Sequence, residues 1–311
     1  MRIKVVSVIF LLGMLVMNPF NGIASSPFDS ASLLKVYEDS MKSLQYVRIN
    51  ARTDKEKDEA NRQLLSLMNK ALLLPGSFDY PFDSLRTIGK ETSPDKQFRI
   101  ITWDVPKSGC MFGYYGFIQS YNSKKKGYDL FPLEDHTADI PNPKSAVCTP
   151  NNWIGMLYYK IIKEKGSHLY TLLAWEGYNK EITRKVIDVL SFNTEGIPSF
   201  GKAIFVKLPS TFKGTPKRMI FEYSAQVSMS LRYDESKNLL IFDHLAPIDD
   251  GLQGQHQYYG PSFDIDGLAW KNGTWNFVPN VEARNPSNDK EDNPQNSTHD
   301  PNKKVIYSTP H

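Results

Sequence analysis

The sequence predicts a mainly β protein of the α+β class, with an N-terminal helical hairpin packed on an antiparallel β-rich domain. Three observations lead there. Helical periodicity is confined to the stretch before residue 76. After Ser84 the chain turns to short runs of aromatic and β-branched residues separated by Gly, Pro, Asn and Asp. The connections between neighbouring runs are too short for a parallel crossover.

The first 24 residues read as a removable secretory signal peptide. Arg2 and Lys4 supply the basic start, Val5 to Met17 the apolar run, and Gly22-Ile23-Ala24 the small-residue exit. A run of about 13 apolar positions falls short of the ~20 that span a bilayer. No later stretch is long and apolar enough to cross a membrane, so the mature chain is expected to be soluble, secreted or periplasmic, with no span left after cleavage. The formal net charge of +3 falls to +1 once Arg2 and Lys4 leave with the signal. A near-neutral chain without a basic stripe speaks against nucleic acid as a partner. The compact run Lys124-Lys125-Lys126-Gly127 reads as a solvated hairpin tip.

The hairpin occupies residues 25–76. Leu33, Leu34, Tyr37, Met41, Leu44 and Val47 recur at steps of three and four, with Asp29 and Ser30 as caps. Thr53-Asp54-Lys55-Glu56 spells a capping box for a second helix, with Leu64, Leu65, Leu67, Met68, Ala71 and Leu72 on its apolar face. Pro75-Gly76 ends it. Two helices of this size cannot bury their apolar faces alone, so the pair is expected to pack on the rest of the chain.

The β domain is expected over residues 77–283. Strands are predicted from Phe98 to Val105, Gly116 to Tyr121, Tyr128 to Leu133, Gly155 to Lys163, Leu169 to Trp175, Ala203 to Lys207, Arg218 to Tyr223, Val227 to Tyr233, Leu239 to His244, Leu268 to Trp270 and Trp275 to Val278. Ile182 to Leu190 fits a strand or a two-turn helix equally. Asn272-Gly273 is the favoured pair for a type I′ turn. So many successive strands imply a curled sheet, as a barrel, a sandwich or a small propeller-like array. From residue 284 to 311 apolar residues nearly vanish, and that tail is expected to be disordered. Cys110 and Cys148, an even pair in an oxidising compartment, are expected to bridge, closing a loop worth roughly 4 kcal/mol on the chain-entropy view.

Polar functional groups are densest between Asp243 and Asp266. Asp243, His244, Asp249, Asp250, His256, Asp264 and Asp266 fall within one connection and its flanking strands. Asp264 and Asp266, two apart in a strand, share a face at roughly 7 Å. With Asp249 and Asp250 they could hold a hard cation such as calcium, although the EF-hand template fails at Leu268. Turn chemistry is the competing explanation, since Asp before Gly suits left-handed backbone. Asp243, His244, His256 and Asp264 are the acid–base candidates of this region, and Glu176, where a strand runs into a turn, is a further one. Aromatic side chains reach 12%. Most suit cross-strand packing, but Trp175, Tyr178, Tyr258 and Tyr259 are candidate binding platforms for a glycan.

Phe98-Arg99-Ile100-Ile101-Thr102-Trp103, Phe200-Gly201-Lys202-Ala203-Ile204-Phe205, Arg218 to Tyr223, and Leu231-Arg232-Tyr233-Asp234 leading to Phe242-Asp243-His244-Leu245-Ala246-Pro247 resemble a family of uncharacterised secreted bacterial proteins. The resemblance spans most of the β region and implies a bacterial envelope setting, with no activity to carry over. The expected function is therefore an exported, non-catalytic binding or structural module with no resident cofactor, its partner a glycan or another envelope component. The rival is a secreted hydrolase directed at glycans, assisted by calcium, that uses carboxylates of the Asp243 to Asp266 region. The module predicts that these groups do not converge on one cleft. The hydrolase predicts that they do, with two carboxylates roughly 5 to 10 Å apart.

Overall fold

The computed structural model describes residues 29–164, 166–209 and 214–282. The expected signal peptide (1–24) and tail (284–311) lie outside them. Helix α1 (Ser30–Asn50) starts at Asp29, whose carboxylate accepts the Ala31 N–H. Helix α2 (Asp54–Leu72) starts at the capping box: Thr53 Oγ1 accepts the Glu56 N–H at 3.2 Å, and the Glu56 carboxylate accepts the Thr53 N–H at 3.1 Å.

The inward face of α1 is rotated from the expected one. Leu34, Glu38, Met41, Gln45 and Arg48 are buried, whereas Val47 is exposed. The polar members go inside because the segment 80–87 supplies their partners. Glu38 accepts from the Tyr80 hydroxyl and the Ser84 N–H, Gln45 bonds the Ser84 carbonyl and the Thr87 N–H, and Arg48 donates to the carbonyls of Thr87 and Asp104. Buried polar groups persist when they are satisfied in this way.

The strands form three sheets. The first runs β1 (Gly89–Thr92), β2 (Phe98–Lys107), β3 (Met111–Asn122), β4 (Gly127–Glu134), all antiparallel. The Lys124 to Lys126 tip is the exposed turn between β3 and β4. The second sheet holds β5 (Leu157–Ile162), β6 (Tyr170–Glu176), β7 (Ile182–Phe192) and the short β8 (Pro198–Phe200). The undecided segment from Ile182 is thus a strand. The chain then gives β9 (Phe205–Val206) to the third sheet and returns with β10 (Met219–Ser224), which pairs with β7 and forms an edge of the second. The third sheet is β11 (Leu231–Asp234), β12 (Leu239–Pro247), β13 (Tyr259–Lys271) and β14 (Thr274–Val278), with β9 parallel to β14 at its end. Among the described residues no sheet closes into a barrel.

Side-chain alternation stacks these elements in four layers. Ile101 and Trp103 of β2 face the helices and pack with Met41, Leu64 and Met68. Phe98 and Ile100 face the second sheet and meet Leu172, Ala174 and Val186. From the other side of that sheet, Leu173 and Ile187 meet Leu240, Phe242, Leu268 and Trp275 of the third. Sheets covered on both faces need apolar residues on both, which is why apolar side chains stand at consecutive positions in β2 (Ile100, Ile101) and β6 (Leu172, Leu173, Ala174).

The expected disulfide is not formed: both cysteines are free. Cys110 is exposed in the turn between β2 and β3. Cys148 is buried, paired through its backbone with Phe200, with Sγ 3.8 Å from the Arg218 guanidinium. The two thiols occupy separate elements, and burial pushes the Cys148 thiol up.

Candidate functional site

Where the edge strand β10 faces β12, the second and third sheets leave an open cavity of about 820 Å³. Its walls are mainly apolar, from Met219, Phe221, Phe242, Leu245, Pro247 and Phe277, and into it come His244, His256, Tyr259, Glu222 and Asp266. This size and lining are those of a small-molecule site, which runs ~300–1,000 Å³ with a few convergent polar groups.

The pleat of two adjacent strands assembles the first polar pair. Phe242 of β12 faces the core, and His244, two residues on, continues on the same face. Asp266 of β13 lies directly opposite Phe242. The diagonal neighbours therefore meet, with His244 Nδ1 2.7 Å from Asp266 Oδ2. Asp266 is buried and its other oxygen receives the Asn280 N–H, while the His244 side chain is 51% exposed. A carboxylate held on Nδ1 fixes the tautomer with Nδ1–H donating and leaves Nε2 as the free acceptor.

Asp264, expected beside Asp266, is not there. Between the pairs Asp243↔Ile265 and Leu245↔Pro261, β12 contributes His244 alone and β13 contributes residues 262–264. This bulge turns Phe263 and Asp264 out to solvent. Asp243 adjoins the cavity, but its carboxylate accepts the Ser230 N–H at 2.7 Å. Asp249 accepts the Gly251 N–H, the turn role that competed with metal binding. Among the described residues no three His, Cys, Asp or Glu side chains are grouped to hold a metal. Asp249, Asp250, Asp264 and Asp266 therefore do not gather as a calcium site.

Glu176 is corrected as well. Expected at an exposed strand end, it is buried and its carboxylate lies 3.4 Å from Arg184, which reaches Glu222 at 2.7 Å. The three are directly opposite one another on β6, β7 and β10 and form a cross-strand row. Burial pushes the Glu176 carboxyl up to about 7, against the opposing pull of Arg184. The row ends at the cavity, where His256 Nε2 stands 3.6 Å from Glu222 and its buried Nδ1 has no hydrogen-bond partner among the described residues.

Of the expected platforms, Tyr259 lines the cavity and packs its ring 4.8 Å from that of His256. Tyr258 is exposed on the adjoining turn. Trp175 is half-buried, edge-on to Phe112, and Tyr178 lies under the Arg184 guanidinium at 3.2 Å. Trp103, Trp153 and Trp275 are fully buried. Glu222, Arg184 and Arg218 were missed in the sequence. Their signal was a charge inside or beside an apolar strand, which burial tolerates only with a partner. No family model, curated protein or solved structure matches the chain.

Proposed function

We propose that this protein is an exported envelope or secreted binding module that seats a small ligand with an apolar body and a hydrogen-bond-donating head in the cavity between β10 and β12. The carrying observation is the convergence of the Asp266-held His244 on an apolar-walled space of about 820 Å³. The free Nε2 accepts a hydroxyl or N–H, and the phenyl rings and aliphatic side chains take the body. A glycan fits this lining less well, because no tryptophan lines the cavity to stack on a sugar ring: Trp103, Trp153 and Trp275 are buried in the cores, and Trp175 and Trp270 lie elsewhere. Asp243, His244, His256 and Asp266 meet at one cavity, as the hydrolase reading expected and the module reading did not. The calcium-assisted, two-carboxylate chemistry nevertheless has less support, since Glu176 is tied to Arg184 and Asp243 to a backbone N–H.

The test is thermal melting with 1-octanol, whose alkyl tail and hydroxyl head match these groups. Saturation at 100 times the dissociation constant stabilises the folded state by about 2.7 kcal/mol. Ala246→Trp, which places an indole in the cavity, should reduce the rise in melting temperature. An equal response in both chains would argue against the site. Export rests on the basic, apolar and small-residue order of residues 1–24. Protein from the native host should begin near residue 25, and an intact Met1 would contradict it.

A further inference from the structure

We propose that the His244–Asp266 pair is a general acid–base centre that hydrolyses a carboxylic ester with an alkyl acyl chain bound in this cavity. The inference rests on the cavity being a ligand site. It goes further by assigning chemistry to that site.

The geometry contains the parts that water activation needs. Asp266 is buried and holds Nδ1 at 2.7 Å, so the imidazole is oriented by a group fixed in the sheet. Nε2 remains open on a half-exposed side chain that lines the cavity. The apolar wall from Phe221, Phe242 and Phe277 accommodates a hydrocarbon chain. In the forward step Nε2 takes a proton from water as the water oxygen bonds to the carbonyl carbon. The carbon–oxygen bond to the alcohol then breaks, and the alcohol leaves with the proton that Nε2 returns. One water is consumed, an acid and an alcohol are released, and the imidazole ends neutral.

The surrounding charges narrow the substrate class. A glycoside needs two available carboxylates, whereas Glu222 is bound to Arg184 and Asp243 to the Ser230 N–H. A phosphodiester needs cations around its oxygens. Arg218 is committed to Asp188 and to the carbonyls of Pro143 and Ala146, which leaves Lys144 on the wall with no carboxylate partner among the described residues. An ester makes the smallest demand, because its alkoxide can depart with the single proton that one imidazole carries.

The experiment uses the chain after signal removal, 4-nitrophenyl butyrate as substrate, and 4-nitrophenyl butyl ether as its non-hydrolysable counterpart. Wild type should release 4-nitrophenolate saturably and bind the ether in calorimetry. His244→Ala should lower kcat by about 100-fold or more, the usual contribution of a positioned acid–base group. Ether affinity should stay within about threefold, and added imidazole should restore part of the rate. Asp266 acts through His244 as a positioning residue, so Asp266→Asn should lower kcat about tenfold or more with little change in KM. Ether binding without ester turnover, or full turnover in His244→Ala, overturns the catalytic proposal and leaves the ligand site standing. Failure of wild type to engage either compound overturns the ester proposal, while the 1-octanol melting test decides the ligand site on its own. Should His244→Ala lose the ether as well, absence of imidazole rescue decides against the proposal.

Discussion

At the scale of single residues, the structure stores its pH dependence in carboxyls buried near opposite charges that compensate only in part. Glu91, on the edge strand β1, is pushed up to about 7 by burial, with Lys160 pulling the other way. Its ordinary value is 4.5. Between these values the folded chain keeps a proton that the unfolded chain has released, so stability falls as pH rises through that window. Glu176 is displaced to the same value for the same leading reason and adds to the slope. Glu91→Gln removes the Glu91 contribution, because the amide is neutral in both states. Urea midpoints of the variant and wild type should coincide near pH 4, below the unfolded-state value, and the variant should lead at pH 8. A constant gap across that range would mean that Glu91 titrates alike in both states.

At the scale of elements, what was legible depended on whether the determinants were local. The capping box of α2 is written in four consecutive residues, and it forms as read. Thr53→Ala should cost about 1 kcal/mol. Leu64→Ala, at a fully buried position between helix and sheet, should cost about 2–5 kcal/mol, and urea unfolding measures both. A Leu64 variant as stable as wild type would contradict the docking of the hairpin on the first sheet. The face of α1 differs from the expected one because Glu38, Gln45 and Arg48 are drawn inside by the segment 80–87, some forty residues away. The β12–β13 hairpin behaves similarly. Its density of Asp and His marked the site, and His244, His256 and Asp266 do meet one cavity. The bulge that expels Asp264 left no readable trace, since it depends on the register of a partner strand. Glu176 looked like a strand end and was captured by Arg184, a residue in the one segment whose periodicity could not choose between helix and strand.

At the scale of the whole molecule, the second sheet belongs to two cores at once, so the layers should unfold together in one transition. Arg218 is the side chain that joins this central layer to the cavity. It has no exposed surface, its Nε lies 3.2 Å from Asp188 Oδ1 on β7, and its Nη1 donates to the carbonyls of both Pro143 and Ala146. Those carbonyls belong to the stretch that supplies Asn142, Lys144 and Ser145 to the cavity wall. The attraction of a buried ion pair is largely spent on desolvation, but loss of one partner leaves the other charge buried alone. Among the described residues Asp188 already has one oxygen without a hydrogen bond, so it has no reserve of partners there. Arg218→Met should therefore cost about 3–5 kcal/mol and also weaken 1-octanol binding, because the wall loses its anchor. Adding Asp188→Asn should recover a substantial part of the stability but little of the binding, since the charge is relieved while the wall stays loose. Equal recovery of both would show that Arg218 acts only by neutralising Asp188 and that the 142–148 segment is held by something else.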